Sequence, residues 1–329
     1  MTSVHLVTTE PEPNDGKRWR LGAYDFLTQS AISATRHSLT ADAESADIIL
    51  FSDCGPGPYY SSLTRSPLFK KYWEKCFLFD HQDKPLCLLP GVYASIENQW
   101  YDPRWVRSGF YAHIDGYERF SHQPWQQERQ YLFSFVGSVW TAPVREALTH
   151  LNHARFYLSD SSAQAIPAYS TGDTETVEHL RKTYSDAVRQ SSFVLCPRGV
   201  GCSSQRLFEV MCMGRAPVIL ADEWVRPVGP DWDAFSITVP EADVLKLPDI
   251  LAAHESSAEE MGTLARREWE RWYSPEVLFE TVVNWCLDIR SEGKCQDKWY
   301  RRRKYLQFLR PFHTRNLLRG IKNSIKARS

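Results

Sequence analysis

The sequence predicts an α/β protein built from two consecutive Rossmann-like domains. Three observations carry that prediction. Short apolar runs alternate with segments of helical periodicity along most of the chain. Several runs stop at turns rich in Asp, Gly, Pro or Ser, as parallel strands do at their ligand-facing ends. A polar stretch over residues 122–130 (HQPWQQERQ) separates one series of runs from the next. The predicted boundaries are 1–125 for an N-terminal domain, 126–290 for a second domain and 291–329 for a tail.

In chain order, residues 4–8 form the first predicted strand and 11–17 a loop. Residues 46–52 (ADIILFS) are almost continuously apolar, the pattern of a strand covered on both faces. That run ends at Asp53-Cys54-Gly55-Pro56-Gly57-Pro58, which cannot extend it. Residues 63–74 have helical spacing. Residues 76–79 are a strand ending at Asp80-His81-Gln82-Asp83, and 86–93 (LCLLPGVY) are another, interrupted by Pro90-Gly91. Beyond the polar break, 131–135 form a strand ending in Val136-Gly137-Ser138. Residues 144–150 form a helix with Pro143 near its start, 154–158 a strand and 175–190 a helix. Residues 192–196 are a strand that Pro197-Arg198-Gly199-Val200-Gly201 terminates. Ser203 or Ser204 then caps a helix whose apolar face is Leu207, Phe208, Val210, Met211 and Met213. Gly214 stops that helix and 217–220 start the next strand. Residues 235–239 are a last strand, and 242–253, 258–272 and 275–289 are helices.

Composition narrows the class. The chain has 329 residues, 43% hydrophobic and 24% charged, as soluble globular proteins do. It contains no run of 18 apolar residues, so no membrane-spanning helix is expected. The first ten residues carry neither a basic region nor a long apolar core, so no cleaved leader is expected. Eight cysteines show no CxxC pair and no zinc spacing, which predicts reduced, buried thiols and no metal. The formal charge of −1 hides an asymmetry: residues 294–329 hold 12 Lys/Arg and one acid, +11, and the rest is −12.

The segment 192–222 carries the clearest chemistry. A small-residue turn that opens a helix leaves backbone N–H groups to hold an anion. Arg198 and Arg206 flank that turn, and guanidinium suits phosphate. Glu209 lies one turn beyond Arg206 on the same side of the helix. A carboxylate there can accept hydrogen bonds from the two hydroxyls of a ribose. Gly137 and Ser138 end the preceding strand, a usual ligand-facing position, although a simple turn explains them equally.

These pieces recur in one family. The motifs are YLFSFVGS over 131–138 with Arg145, FVLCPRG over 193–199 and SQRLFE over 204–209. They continue with GRAPVI over 214–219, Asp222, Asp231-Trp232, Phe235-Ser236 and VPEAD over 239–243. In order and spacing this segment resembles the exostosin family of glycosyltransferases, GT47. The resemblance implies the GT-B architecture, two Rossmann-like domains facing a central cleft, with the donor nucleotide on the C-terminal domain. It implies an inverting transferase using a nucleotide-diphosphate sugar, commonly a UDP-sugar, without a metal or other cofactor. Donor contacts then fall to Gly137, Ser138, Arg145, Arg198, Gly199, Ser203, Ser204, Arg206 and Glu209. The Asp231-Trp232-Asp233 triplet formally reads as a metal-binding DxD, but a lone DxD is a weak motif and its place favours a structural loop.

The remaining expectations are less local. An inverting transfer needs a base for the acceptor hydroxyl, expected at a strand end of the N-terminal domain: Asp83, Asp80 or His81, or else Asp53. Trp100, Tyr101 and Trp105 lie in an aromatic stretch suited to sugar C–H faces, or equally to a core. The basic tail has apolar residues on one approximate helical face, which suits an anionic membrane surface. Packing on the N-terminal domain, an oligomer contact and nucleic acid are its alternatives. The expected protein is thus a cytoplasmic glycosyltransferase, peripheral on the inner face of a membrane, that moves a sugar to a glycan or lipid-linked glycan in surface polysaccharide synthesis. A GDP-sugar transferase and a non-catalytic sugar-binding scaffold are the alternatives.

Overall fold

The computed structural model describes residues 1–9, 22–52, 60–112, 122, 125, 129–293 and 297–326. The chain divides into two units, one of residues 1–94, 99–112 and 275–329, the other of 95–98 and 113–274.

The first unit opens with β1 (Thr2–Thr8), α1 (Gly22–Ile32), β2 (His37–Leu39), β3 (Ile48–Ser52), α2 (Ser61–Arg65), α3 (Pro67–Tyr72), β4 (Cys76–Asp80), β5 (Gly91–Tyr93) and β6 (Val106–Ser108). The described strands form one parallel sheet in the order β2-β1-β3-β4-β5-β6. Every residue of β3 and β4 is buried, as a parallel sheet covered on both faces requires. The helix expected over 63–74 is broken. Ser66 precedes Pro67, is pushed to extended backbone, and Pro67 then starts a new helix. Only the end of LCLLPGVY pairs as a strand. There Gly91 lies against the Leu78 backbone so closely that a Cβ would overlap it.

The second unit contains β7 (Tyr131–Gly137), α4 (Pro143–Ala147), β8 (Phe156–Asp160), α5 (Ala165–Thr171), α6 (Thr174–Arg189), β9 (Ser191–Pro197), α7 (Gln205–Cys212), β10 (Ala216–Leu220), α8 (Trp232–Phe235), β11 (Ile237–Thr238), α9 (Leu247–His254) and α10 (Ala258–Trp272). Its described strands are parallel in the order β11-β10-β9-β7-β8. Phe133, Phe135, Phe193, Leu195, Val218 and Leu220 form its core. β7 runs to β8 on one side, and β9, β10 and β11 build outward on the other. The order therefore reverses between β7 and β9, and ligands of such sheets bind beyond the strand ends at that point. Those ends are Gly137 and Pro197.

The two parallel sheets agree with the expected α/β class of two Rossmann-like domains. The boundary at 290 differs from the structure. α11 (Leu278–Ser291), α12 (Lys298–Arg303) and α13 (Pro311–Lys326) belong to the first unit. Leu278, Phe279, Val282, Val283, Trp285, Cys286 and Ile289 of α11 are buried. The Phe279 N–H donates to Ser30 Oγ at 2.8 Å, and Glu280 accepts from the Thr35 and Arg36 N–H groups at 2.7 Å each. Periodicity identifies that face as buried but carries no information about which sheet covers it.

The basic tail also starts by packing. Gln307 is buried, accepting from Cys87 N–H at 3.1 Å and donating to Cys87 O at 3.3 Å. Arg301 donates to Trp73 O at 3.2 Å and stacks 4.1 Å above its ring. Among the described residues no helix is long and apolar enough to cross a membrane.

Candidate functional site

The ends of β7 and β9 and the N-terminus of α7 lie in one unit, and the expected donor residues gather there. Cys202 N–H donates to Ser95 Oγ at 2.9 Å, which fixes the turn between β9 and α7. Ser204 then occupies the N-cap with extended backbone, but its side chain makes no capping hydrogen bond. Ser203 and Ser204 are 3% and 5% exposed, and neither hydroxyl has a partner among the described residues. The first N–H groups of α7 stand at the same end; Leu207 N–H is met by Ser204 O at 3.2 Å, and an α-helix does not itself supply partners for the two before it. A buried unpaired hydroxyl costs about 1–3 kcal/mol, and here two stand side by side at the positive end of a helix.

Arg206 is held over this end. Its Nε donates to Val136 O at 2.7 Å, and its guanidinium lies 5.2 Å from the Phe135 ring centroid. Gly137 has φ 154°, and a Cβ there would overlap the guanidinium, so Gly137 is required twice over. Half-buried Glu209 sits one turn on. Gln205 Nε2 donates to its Oε1 at 2.9 Å, and the Tyr184 hydroxyl bonds it from α6. Burial raises its carboxyl above the ordinary carboxylate range, against the opposing pull of Arg206 and these hydrogen bonds. Burial, with Glu209 beside it, likewise holds the Tyr184 phenol in its neutral form.

Two expected donor ligands have other partners. Arg145 is 6% exposed and donates to Arg198 O at 2.8 Å, Pro197 O at 3.1 Å and Ser138 O at 3.3 Å. It ties the β7 turn to the β9 turn and lies beneath Gly199, so it positions the site. Arg198 pairs through Nε with Glu241 Oε1 at 2.7 Å, and that carboxylate also accepts Asp222 N–H at 3.3 Å. Its charge is matched in place. Ser138 Oγ lies 3.0 Å from Ser162 Oγ. Both arginines have partners for the same reason: a strand-end Arg satisfies backbone carbonyls or a carboxylate that only the fold brings near. Sequence reasoning missed Tyr184, Gln205 and Glu241. Tyr184 stands among Val177, Ala187 and Val188 on the buried face of α6, where its periodicity reads as core.

The Asp231-Trp232-Asp233 triplet is a folded corner. Trp232 is buried with its indole N–H on Pro227 O at 2.8 Å, and Asp233 pairs with Arg226 at 2.7 Å. No cluster of metal-binding side chains occurs among the described residues.

In the first unit, Asp80 is 4% exposed at the end of β4. It accepts from the Tyr60 hydroxyl and, at 2.6 Å, from Gln82 N–H. Asp83 is exposed and accepts from the Tyr111 hydroxyl at 2.8 Å. His81 is half-buried. Asp53 lies outside the described residues. Trp105 is not an acceptor contact: it is fully buried, donating to Cys87 O at 2.9 Å, with Tyr300 5.5 Å away edge-on. Trp100 and Tyr101 are half-buried, and Arg310 lies 5.0 Å from the Trp100 ring centroid.

Residues 110–254 match the Exostosin GT47 domain model, a span that holds the whole α7 site. The Exostosin-1 homolog of Caenorhabditis elegans is 25% identical over 172 residues, 48% of this chain and 45% of that protein. Exostosin-1 of Drosophila melanogaster is 27% identical over 169 residues, 46% of this chain and 22% of that one. A probable glucuronosyltransferase of Oryza sativa subsp. japonica is 41% identical over 73 residues, 22% of this chain and 18% of its own length. The chain thus spans less than half the length of each. Among solved structures, TarM aligns with 73% of this chain and 54% of its own at 13% identity and a TM-score of 0.43.

Proposed function

We propose that this chain, which carries an exostosin-like GT47 region over residues 110–254, is an inverting glycosyltransferase using a nucleotide-diphosphate sugar, with UDP the favoured nucleotide. The observation that carries the reading is the pair of buried, unpartnered hydroxyls of Ser203 and Ser204 at the N-terminus of α7, at the reversal point of its sheet. Two vicinal hydroxyl donors, free N–H groups and Arg206 suit a diphosphate better than a neutral ligand. Glu209, oriented by Gln205 and Tyr184, is the acceptor for ribose hydroxyls.

In the reaction, the acceptor hydroxyl oxygen bonds to the anomeric carbon as the bond from that carbon to the diphosphate oxygen breaks. The electron pair of that bond leaves with the nucleoside diphosphate. Arg206, Ser203, Ser204 and the α7 dipole stabilise its developing charge. The acceptor proton passes to a base. Asp83 fits this role better than Asp80, because it is exposed while Asp80 is enclosed by Tyr60 and the Gln82 N–H. Tyr111 orients Asp83. The acceptor is a glycan or a lipid-linked glycan.

A thermal-shift screen against UDP, GDP, CMP and dTDP tests the donor half, since a ligand that binds only the native state raises its stability. Glu209→Gln is expected to weaken the best nucleotide about tenfold to a hundredfold, the loss of charge-assisted hydrogen bonds worth about 1.5–3 kcal/mol. Asp83→Asn is expected to leave nucleotide affinity unchanged and remove turnover. No shift with any nucleotide, or equal binding by Glu209→Gln, would refute the donor site. Turnover that survives Asp83→Asn would refute the base.

A further inference from the structure

Residues 297–319 have two faces. The inner face packs on the first unit through Tyr300, Arg301, Lys304, Gln307, Arg310 and buried His313. The outer face carries large apolar side chains into solvent: Trp299 is 65% exposed, Leu306 59%, Leu309 75% and Leu318 61%. Exposed Lys298, Arg302, Arg303, Arg315 and Arg319 stand among them. The sequence from 298 to 329 contains no Asp or Glu. Since the inner residues already anchor the segment, packing does not explain why the outer face is apolar and basic at once.

We infer that this outer face seats the protein on an anionic lipid surface. Trp299, Leu306, Leu309 and Leu318 enter the headgroup region while the flanking cations meet lipid phosphates. Charge favours this occupant over a second copy of the chain. Two outer faces meeting would each bring the exposed cations Lys298, Arg302, Arg303, Arg315 and Arg319, whereas an anionic leaflet attracts each of them. The inference stands independently of the transferase reading, because it uses no residue of the donor site.

The test is co-sedimentation of the full chain with phosphatidylcholine vesicles, with and without phosphatidylglycerol. Deleting the tail is the wrong variant, because Gln307 and His313 are buried in the first unit. Arg302→Gln with Arg303→Gln, and Leu306→Ser with Leu309→Ser, alter exposed positions only, and a melting curve checks that both fold. The wild type is expected to bind only the anionic vesicles, less so as salt rises. Each cation removed is expected to cost roughly fivefold in partition, and the leucine pair roughly tenfold or more. Absence of binding to anionic vesicles, or wild-type binding by both variants, would overturn the inference. So would a concentration-dependent dimer that the leucine variant abolishes, which would give this face to a second copy.

Discussion

Glu280 offers a quantitative test of how the chain returns to its first unit. Its carboxylate receives the Thr35 and Arg36 N–H groups at 2.7 Å each and Arg36 Nε at 2.9 Å. Burial works to raise its pKa, but these hydrogen bonds and the Arg36 charge outweigh it and lower the value from 4.5 to about 2. At ~1.4 kcal/mol per pKa unit the shift corresponds to a ceiling of about 3 kcal/mol of folding stability. Arg36 is 65% exposed, so water screens that part, and about 2 kcal/mol remains. Because the folded pKa is depressed, the stabilisation is complete above the unfolded value of 4.5 and is lost as pH falls toward 2. Glu280→Gln removes the charge and sets an amide N–H against Arg36 Nε. Urea unfolding at pH 7 should place the variant about 2 kcal/mol below the wild type, and the gap should shrink by more than half at pH 3. Equal stabilities at pH 7, or a gap that does not change with pH, would refute the docking of α11 on α1 and the loop that follows it.

Three other outcomes follow from the geometry. Gly137→Ala needs a side chain where the Arg206 guanidinium lies, at φ 154°. It should cost about 1–3 kcal/mol and weaken nucleotide binding through displaced Arg206, read by chemical denaturation and calorimetry. Trp105→Ala should cost about 3–5 kcal/mol by emptying a core position, whereas an acceptor contact would change turnover and leave the unfolding midpoint in place. Nucleotide affinity should decline on acidification at a higher pH than an unshifted carboxylate would set, because the raised Glu209 loses its charge there. A flat profile from neutral pH to pH 4.5 would count against Glu209 as the ribose acceptor.

The thiols behave as apolar side chains. The described cysteines are free and buried, and burial pushes Cys76 and Cys202 up to about 12. The sequence spacing had pointed to this, since apolar strands and helices surround most of them.

What the sequence determined by itself was local. Residues 192–222 announced strand, turn and helix because Pro197, Gly199, Gly201 and Gly214 act on their own backbone. The parallel sheets were legible because β3, β4 and β9 are apolar at nearly every position, which a sheet covered on one face does not need. The tertiary structure decided the partners. It placed Glu241 on Arg198 and three backbone carbonyls on Arg145, partners that neither arginine's sequence neighbourhood shows. It enclosed Trp105, left Ser203 and Ser204 unpaired, and carried α11 back across the chain to α1. Each outcome depends on contact between residues far apart in sequence, such as Arg198 with Glu241 or Thr35 with Glu280. A side chain's type sets what it can bind, and only the folded chain sets what reaches it first.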